Sequence, residues 1–169
     1  MPGLLADKYD IILSSMNDTP DRRKKIDFVD YMSFGQVIIV KSGNQQNIQT
    51  TNDLKGKTVG VQLATTSDDA LKKLGDVKVK EYNTFPEAFQ DLANDRLDAV
   101  VVDEVVGRYY LNLQPDKYKM AGQPFASEPV GVGIRKDESA LAQQIQDALT
   151  QMKSDGTYDK IYSYWFGTK

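Results

Sequence analysis

Between Thr58 and Leu113, short apolar runs alternate with segments of helical period, and this alternation narrows the possible folds more than any other feature. Thr58-Val59-Gly60-Val61-Gln62 reads as a strand and Leu63-Ala64-Thr65-Thr66 as a loop. Residues 67–74 read as a helix, with Asp68 and Asp69 in its first turn and Gly75 beyond its end. Val77-Lys78-Val79-Lys80-Glu81-Tyr82 alternates like an edge or half-buried strand. Thr84-Phe85-Pro86-Glu87 is a capping box opening a helix whose apolar face is Phe85, Ala88, Phe89, Leu92 and Ala93. Residues 97–102 are then a buried strand, and Asp103 at its carboxyl end opens a helix over 104–113. Strands alternating with helices predict an α/β chain with a mostly parallel, doubly wound sheet.

The flanks are read the same way. Pro2-Gly3-Leu4-Leu5-Ala6 reads as the tail of a helix, and Tyr9-Asp10-Ile11-Ile12-Leu13 as a buried strand. Thr19 is placed as a helix N-cap with Pro20 at the first helical position, so Arg22 falls in the first turn, past the end of a strand. Gln36-Val37-Ile38-Ile39-Val40 reads as a central strand and residues 41–47 as a polar linker. Residues 122–129 read as a loop, and Val130-Gly131-Val132-Gly133-Ile134-Arg135 as a strand. Asp137 is expected to cap a long helix with the stripe Leu141, Ile145, Ala148, Leu149 and Met152; Gly156 ends it, and Thr157 starts a final helix.

Composition removes several chemistries. With no Cys and no His, the chain has no Ser-His-Asp triad, Cys nucleophile, disulfide or usual zinc site. No cofactor and no metal are expected. The net charge of −3 gives no sign of a general nucleic-acid binder. No apolar run approaches transmembrane length.

Three polar stretches each follow the carboxyl end of an expected strand: Ser14 to Asn17, Leu63 to Ser67, and Asp103. In doubly wound sheets that is where ligands bind. Arg22 offers a fixed cation for a carboxylate, the N–H groups at Thr66 and Ser67 offer a second anion grip, and Asp103 offers an anion for an ammonium. Together they match the two charges of an α-amino acid. The residues alone also admit plainer readings. Arg22 lies in the charged run Arg22-Arg23-Lys24-Lys25, Thr65-Thr66-Ser67 can be a helix cap, and Asp103 can be an N-cap.

Ser14-Ser15-Met16-Asn17-Asp18-Thr19-Pro20-Asp21-Arg22, followed by Ile26-Asp27-Phe28-Val29-Asp30, resembles the signature of the family-3 solute-binding proteins, the polar amino-acid-binding proteins of ABC importers. Gly60 to Ser67 looks like that family's Gly-Val-x-x-Gly-Thr/Ser-Thr-Ser/Gln loop, with Ala64 where the family usually has Gly. Leu97-Asp98-Ala99 through Asp103 looks like its Leu-Asp-Ala…Asp stretch. The resemblance implies a periplasmic-binding-protein-like type II fold, two doubly wound α/β lobes joined by a two-strand hinge. Lobe 1 would comprise residues 1–40 and 126–169 and lack the family's leading unit; lobe 2 would be a complete 41–125.

It further implies a polar L-amino acid held between the lobes. Arg22 and Thr66 would take its carboxylate and Asp103 its ammonium. Ser14, Ser15, Asn17 and Ser67 would add hydrogen bonds, and Gln62 and Val102 would face the side chain. Expected partners are the ligand, the importer's membrane subunits and, through the incomplete lobe, a second copy of the chain. The setting would be periplasmic, or extracellular and membrane-anchored. Two alternatives accompany this reading. One is a cyclohexadienyl-dehydratase-like lyase, for which Glu104 or Asp18 would supply the acid. The other is the extracellular sensor domain of a receptor.

Overall fold

A computed structural model describes residues 1–166. In chain order the elements are α1 (Pro2–Leu5), β1 (Ile11–Ile12), α2 (Pro20–Arg23), β2 (Asp27–Lys41), a 3-10 turn (Thr51–Leu54), β3 (Thr58–Gln62), α3 (Thr66–Leu74), β4 (Lys78–Tyr82), α4 (Phe85–Ala93), β5 (Ala99–Asp103), α5 (Glu104–Leu113), β6 (Tyr118–Ile134), α6 (Ser139–Ser154) and α7 (Thr157–Phe166). The chain forms two units. Unit 1 is Met1–Ser33 with Glu128–Lys169, and unit 2 is Phe34–Ser127. The divisions fall inside β2 and β6, so each of these strands contributes to both units.

Unit 2 holds the alternating strands and helices of residues 58–113. Its strands lie in the order β2-β5-β3-β4. β3 runs parallel to β4 and to β5, and β2 runs antiparallel to β5. Both sheet faces are covered, which is why residues 99–102 are apolar without interruption. Ile38, Val40, Val59, Val61, Ala99 and Val101 turn to one side, with Leu71 of α3. Val37, Ile39, Val100 and Val102 turn to the other, with Ala88, Phe89 and Leu92 of α4. The α4 box forms as expected: the Glu87 carboxylate accepts from the Thr84 N–H at 3.0 Å and from its hydroxyl at 2.9 Å. β4, at the end of the strand order, is only half buried along its length. Gly107 lets α5 sit close on β2, since a Cβ there would lie 2.8 Å from Val37 Cγ2.

In unit 1, β1 pairs with the last residues of β6, Ile11 opposite Ile134 and Ile12 opposite Gly133. One core joins Val29, Val132 and Ile134 to Leu149 of α6; a second joins Leu4, Ile26 and Phe28. The Tyr158 hydroxyl donates to the Tyr31 carbonyl at 2.7 Å and fastens α7 to β2. Of the expected α6 stripe, Leu149 is buried, Leu141, Ile145 and Met152 are half buried, and Ala148 is exposed. Ile145, Ala148, Leu149 and Met152, with Leu13, Tyr31 and residues of α7, line an apolar cavity of about 370 Å³.

Four expectations are corrected. The strand expected at 9–13 is two residues long and not buried: Ile11 is 37% and Leu13 60% exposed. Among the described residues it has one strand neighbour, β6. The central strand expected at 36–40 begins nine residues earlier in space, at Asp27, because Phe28, Val29 and Phe34 are buried on it and continue its pleat. Residues 122–129 are no loop but the middle of β6, despite two prolines; Gly122 and Ala126, both at positive φ, let the strand bend there. Asp137 does not cap α6. Glu138 occupies the N-cap, and its carboxylate accepts from Arg135 Nη2 at 3.0 Å in place of a helix N–H.

Candidate functional site

In unit 2 the polar groups gather where β5 ends and α3 begins. Thr65 is the N-cap of α3. Its hydroxyl oxygen accepts from the Asp68 N–H at 3.2 Å, and its O–H donates to the Gln62 carbonyl at 2.7 Å. The helix therefore starts one residue earlier than the sequence predicts, and Thr66 and Ser67 become its first two residues, both buried. Asp103 is the last residue of β5 and stands directly opposite Gln36 in the antiparallel ladder. It occupies the N-cap of α5 but makes no capping bond with its side chain.

That carboxylate is engaged by Gln36 instead. Gln36 Nε2 donates to Asp103 Oδ1 at 2.7 Å and to Thr66 Oγ1 at 3.1 Å, and Gln36 Oε1 accepts from the Ser67 hydroxyl. Gln36 is 1% exposed. Thr66 and Ser67, far from Asp103 in sequence, thus meet it through one buried amide. In the sequence alone Gln36 is the first residue of an expected strand. The available signal was a long polar residue at the head of an otherwise apolar run; what it bonds to became visible only with the register.

The loop that leads into α3 is tied down from outside. Ala64 adopts φ +61° and its N–H donates to Asp68 Oδ2 at 3.3 Å. Asp68 is buried and pairs with Lys72 at 2.8 Å, and Lys72 reaches Glu81 of β4 at 2.7 Å. Hydrogen bonds to Asp68 first, then Glu81, hold the Lys72 ammonium well above its ordinary range. Gln62 is half buried and donates to the Asn83 carbonyl at 2.9 Å.

In unit 1 the other expected residues occupy one segment. Thr19 caps α2, its hydroxyl accepting from the Arg22 N–H at 3.3 Å, and Pro20 follows as expected. Arg22 is half buried, and its Nη1 donates to the Asn17 carbonyl at 2.8 Å, which fixes the guanidinium against the loop before the helix. Asn17 is buried and bridges to Val130 of β6; Ser14 is exposed, and Ser15 is half buried at φ +45°. The next cation, Arg23, is structural. It pairs tightly with buried Asp18 and lies 3.5 Å from Asp30. Its hydrogen bond to Asp18 raises its pKa further. Burial, then the charge of Asp18, pushes the Asp30 carboxyl up, against the pull of Arg23. Among the described residues, no group of His, Cys, Asp and Glu is arranged to hold a metal ion, and no helix is long and apolar enough to cross a membrane.

A mixed α/β chain with ionic and hydroxyl groups collected at strand ends has the layout of a small-molecule binding protein. The chain belongs to the bacterial extracellular solute-binding proteins, family 3, whose model matches residues 1–168. It is 36% identical to the ABC transporter glutamine-binding protein GlnH of Bacillus subtilis, over 98% of this chain and 60% of that protein. It is also similar to an ancestral arginine-binding protein bound to arginine, with a TM-score of 0.91 and 46% identity over 98% of this chain and 75% of that one. The ancestral amino acid-binding protein AncCDT-1, described as a precursor of cyclohexadienyl dehydratase, gives a TM-score of 0.90 and 41% identity over 98% of this chain and 72% of that one. The fold is accordingly the type II periplasmic-binding-protein fold. The chain spans about 60% of the length of its glutamine-binding relative.

Proposed function

We propose that this chain serves as the amino-acid-gripping part of an extracytoplasmic substrate-binding component of an ABC importer. The observation that carries the reading is the buried cluster in which Gln36 joins Asp103 to the hydroxyls at the start of α3. Asp103 supplies the anion for the ligand's α-ammonium. The start of α3 at Thr66 and Ser67, together with Arg22, takes the α-carboxylate. Ser14, Ser15 and Asn17 add hydrogen bonds, and Gln62 faces the ligand's side chain. A neutral amide there fits a polar side chain of either charge.

The importer's membrane subunits are the partner, and the setting is periplasmic or extracellular and membrane-anchored. Self-association through unit 1 is part of the reading, because Leu13 and Ile161 are exposed at its apolar cavity. Light scattering that finds only a monomer removes that part.

The reading is of a binder rather than a lyase. Each carboxylate considered as a lyase acid is taken by an arginine: Asp18 by Arg23, and Glu104 by Arg108 at 2.7 Å. Calorimetry with L-arginine, L-glutamine, L-histidine and L-cystine tests the assignment. Removing one partner of a buried charge pair costs about 2–5 kcal/mol, so Arg22→Ala and Asp103→Asn are each expected to weaken binding by roughly 30-fold or more. A variant that binds like the parent removes that residue from the site.

A further inference from the structure

We infer that Gln36 is the positioning residue of this site: its buried amide fixes where the Asp103 carboxylate and the first-turn hydroxyls of α3 stand before any ligand arrives. The inference rests on the reading of Asp103 as the ammonium partner.

A primary amide has two N–H protons and one carbonyl oxygen. Both protons are used, one on Asp103 Oδ1 at 2.7 Å and one on Thr66 Oγ1 at 3.1 Å, and the oxygen accepts from Ser67. These contacts leave one orientation of the amide. A flipped amide would set its oxygen against the Asp103 carboxylate, acceptor against acceptor. The side chain cannot drift to another partner either, because it is 1% exposed and lies on the face of β2 that carries buried Ile38 and Val40. The two contacted elements reach it by independent routes: β5 through the ladder register, and α3 through the Thr65 cap.

A single residue therefore sets the distance between an anion and a helix start, which is the spacing an α-amino acid head group must match. Fixing that spacing in advance lowers the ordering cost of binding. The neighbouring charges on α3 and α5 have partners of their own. Asp68 is paired with Lys72 and Glu104 with Arg108, while Asp69 lies on the exposed side of α3.

Two variants of the full chain test the role, with affinities for L-arginine and L-glutamine measured from pH 5 to pH 8 and melting temperatures recorded alongside. Gln36→Met keeps length and apolar packing but drops all three bonds, and is expected to weaken binding 10- to 100-fold. Gln36→Glu keeps the shape. At pH 5 its protonated carboxyl donates to Asp103 as the amide does, so binding stays near that of the parent. As pH rises and two carboxylates face each other at hydrogen-bond distance, the bond to Asp103 is replaced by repulsion that a bound ammonium offsets, so affinity is expected to change with pH by up to about tenfold per pH unit where the parent's does not. Should Gln36→Met not fold, the isosteric Gln36→Glu decides.

An affinity for Gln36→Met equal to the parent's overturns the role, and so does a Gln36→Glu profile as flat as the parent's. If Asp103→Asn itself binds normally, the reading of the site fails and this role falls with it. Loss in Asp103→Asn with full binding in Gln36→Met would remove Gln36 alone.

Discussion

Asp30 is a carboxylate whose surroundings work against its charge. Burial raises its pKa most and the negative charge of Asp18 raises it further, while Arg23 only partly offsets them. A folded-state pKa above the unfolded value means that the folded chain holds the proton more tightly. The carboxyl therefore favours folding at low pH, and that contribution is lost as pH rises through its folded-state pKa. The Asp30 side chain is still 39% exposed, so the effect is small: Asp30→Asn, with no charge to desolvate or to repel Asp18, is expected to melt slightly higher than the parent at pH 7 and to lose that advantage below about pH 4. Melting curves across pH 3–8 check this; a variant that melts lower at pH 7 would show that the Arg23 pair outweighs the burial. Single residues differed in how far sequence betrayed them. Asp103 and Thr66 were legible because strand-end and helix-start positions follow from local pattern. Gln36 was not, since its meaning lies in being opposite Asp103 and beside Ser67, some 30 to 70 positions away along the chain.

Elements whose signal is local were the ones the sequence displayed. The α4 capping box, the half-buried β4 and the helices after Asp103 and Gly156 are set by neighbours within a few residues. β2 and β6 were cut short in the reading because Asp30, Ser33, Pro124 and Pro129 look like breaks, whereas pairing between distant segments holds both strands extended through them. The junction of β3 and α3 carries a local conflict of a different kind. Ala64 is held at φ +61°, a conformation that costs an L side chain about 1–2 kcal/mol. Its N–H on Asp68 and the Thr65 cap keep it there. Glycine relieves that strain but adds roughly 0.4–1 kcal/mol of unfolded-state freedom. The net expectation for Ala64→Gly is a gain of about 0.5–1 kcal/mol, or roughly 1–4 °C in melting temperature. Calorimetric unfolding measures it, and a drop in melting temperature would mean that the loop does not strain this residue.

Across the whole molecule, apolar burial is divided along the same lines as the chain. The two clusters built on β3, β5, α3 and α4 share no residue with the two built on Val29, Val132, Leu149, Leu4 and Ile26. Only β2 and β6 belong to both units. A core defect is therefore expected to loosen its own unit first, because lost packing is felt most by the residues of the same cluster. Leu92 is 1% exposed in unit 2, and Leu149 is 8% exposed in unit 1. Truncating a buried leucine to alanine costs about 2–5 kcal/mol. Leu92→Ala should raise amide exchange chiefly in β3, β5 and α4 and spare α6, and Leu149→Ala should do the reverse. Hydrogen exchange read by mass spectrometry on both variants resolves the two patterns. Equal loss of protection in both units from either variant would mean that β2 and β6 couple the cores into one cooperative structure.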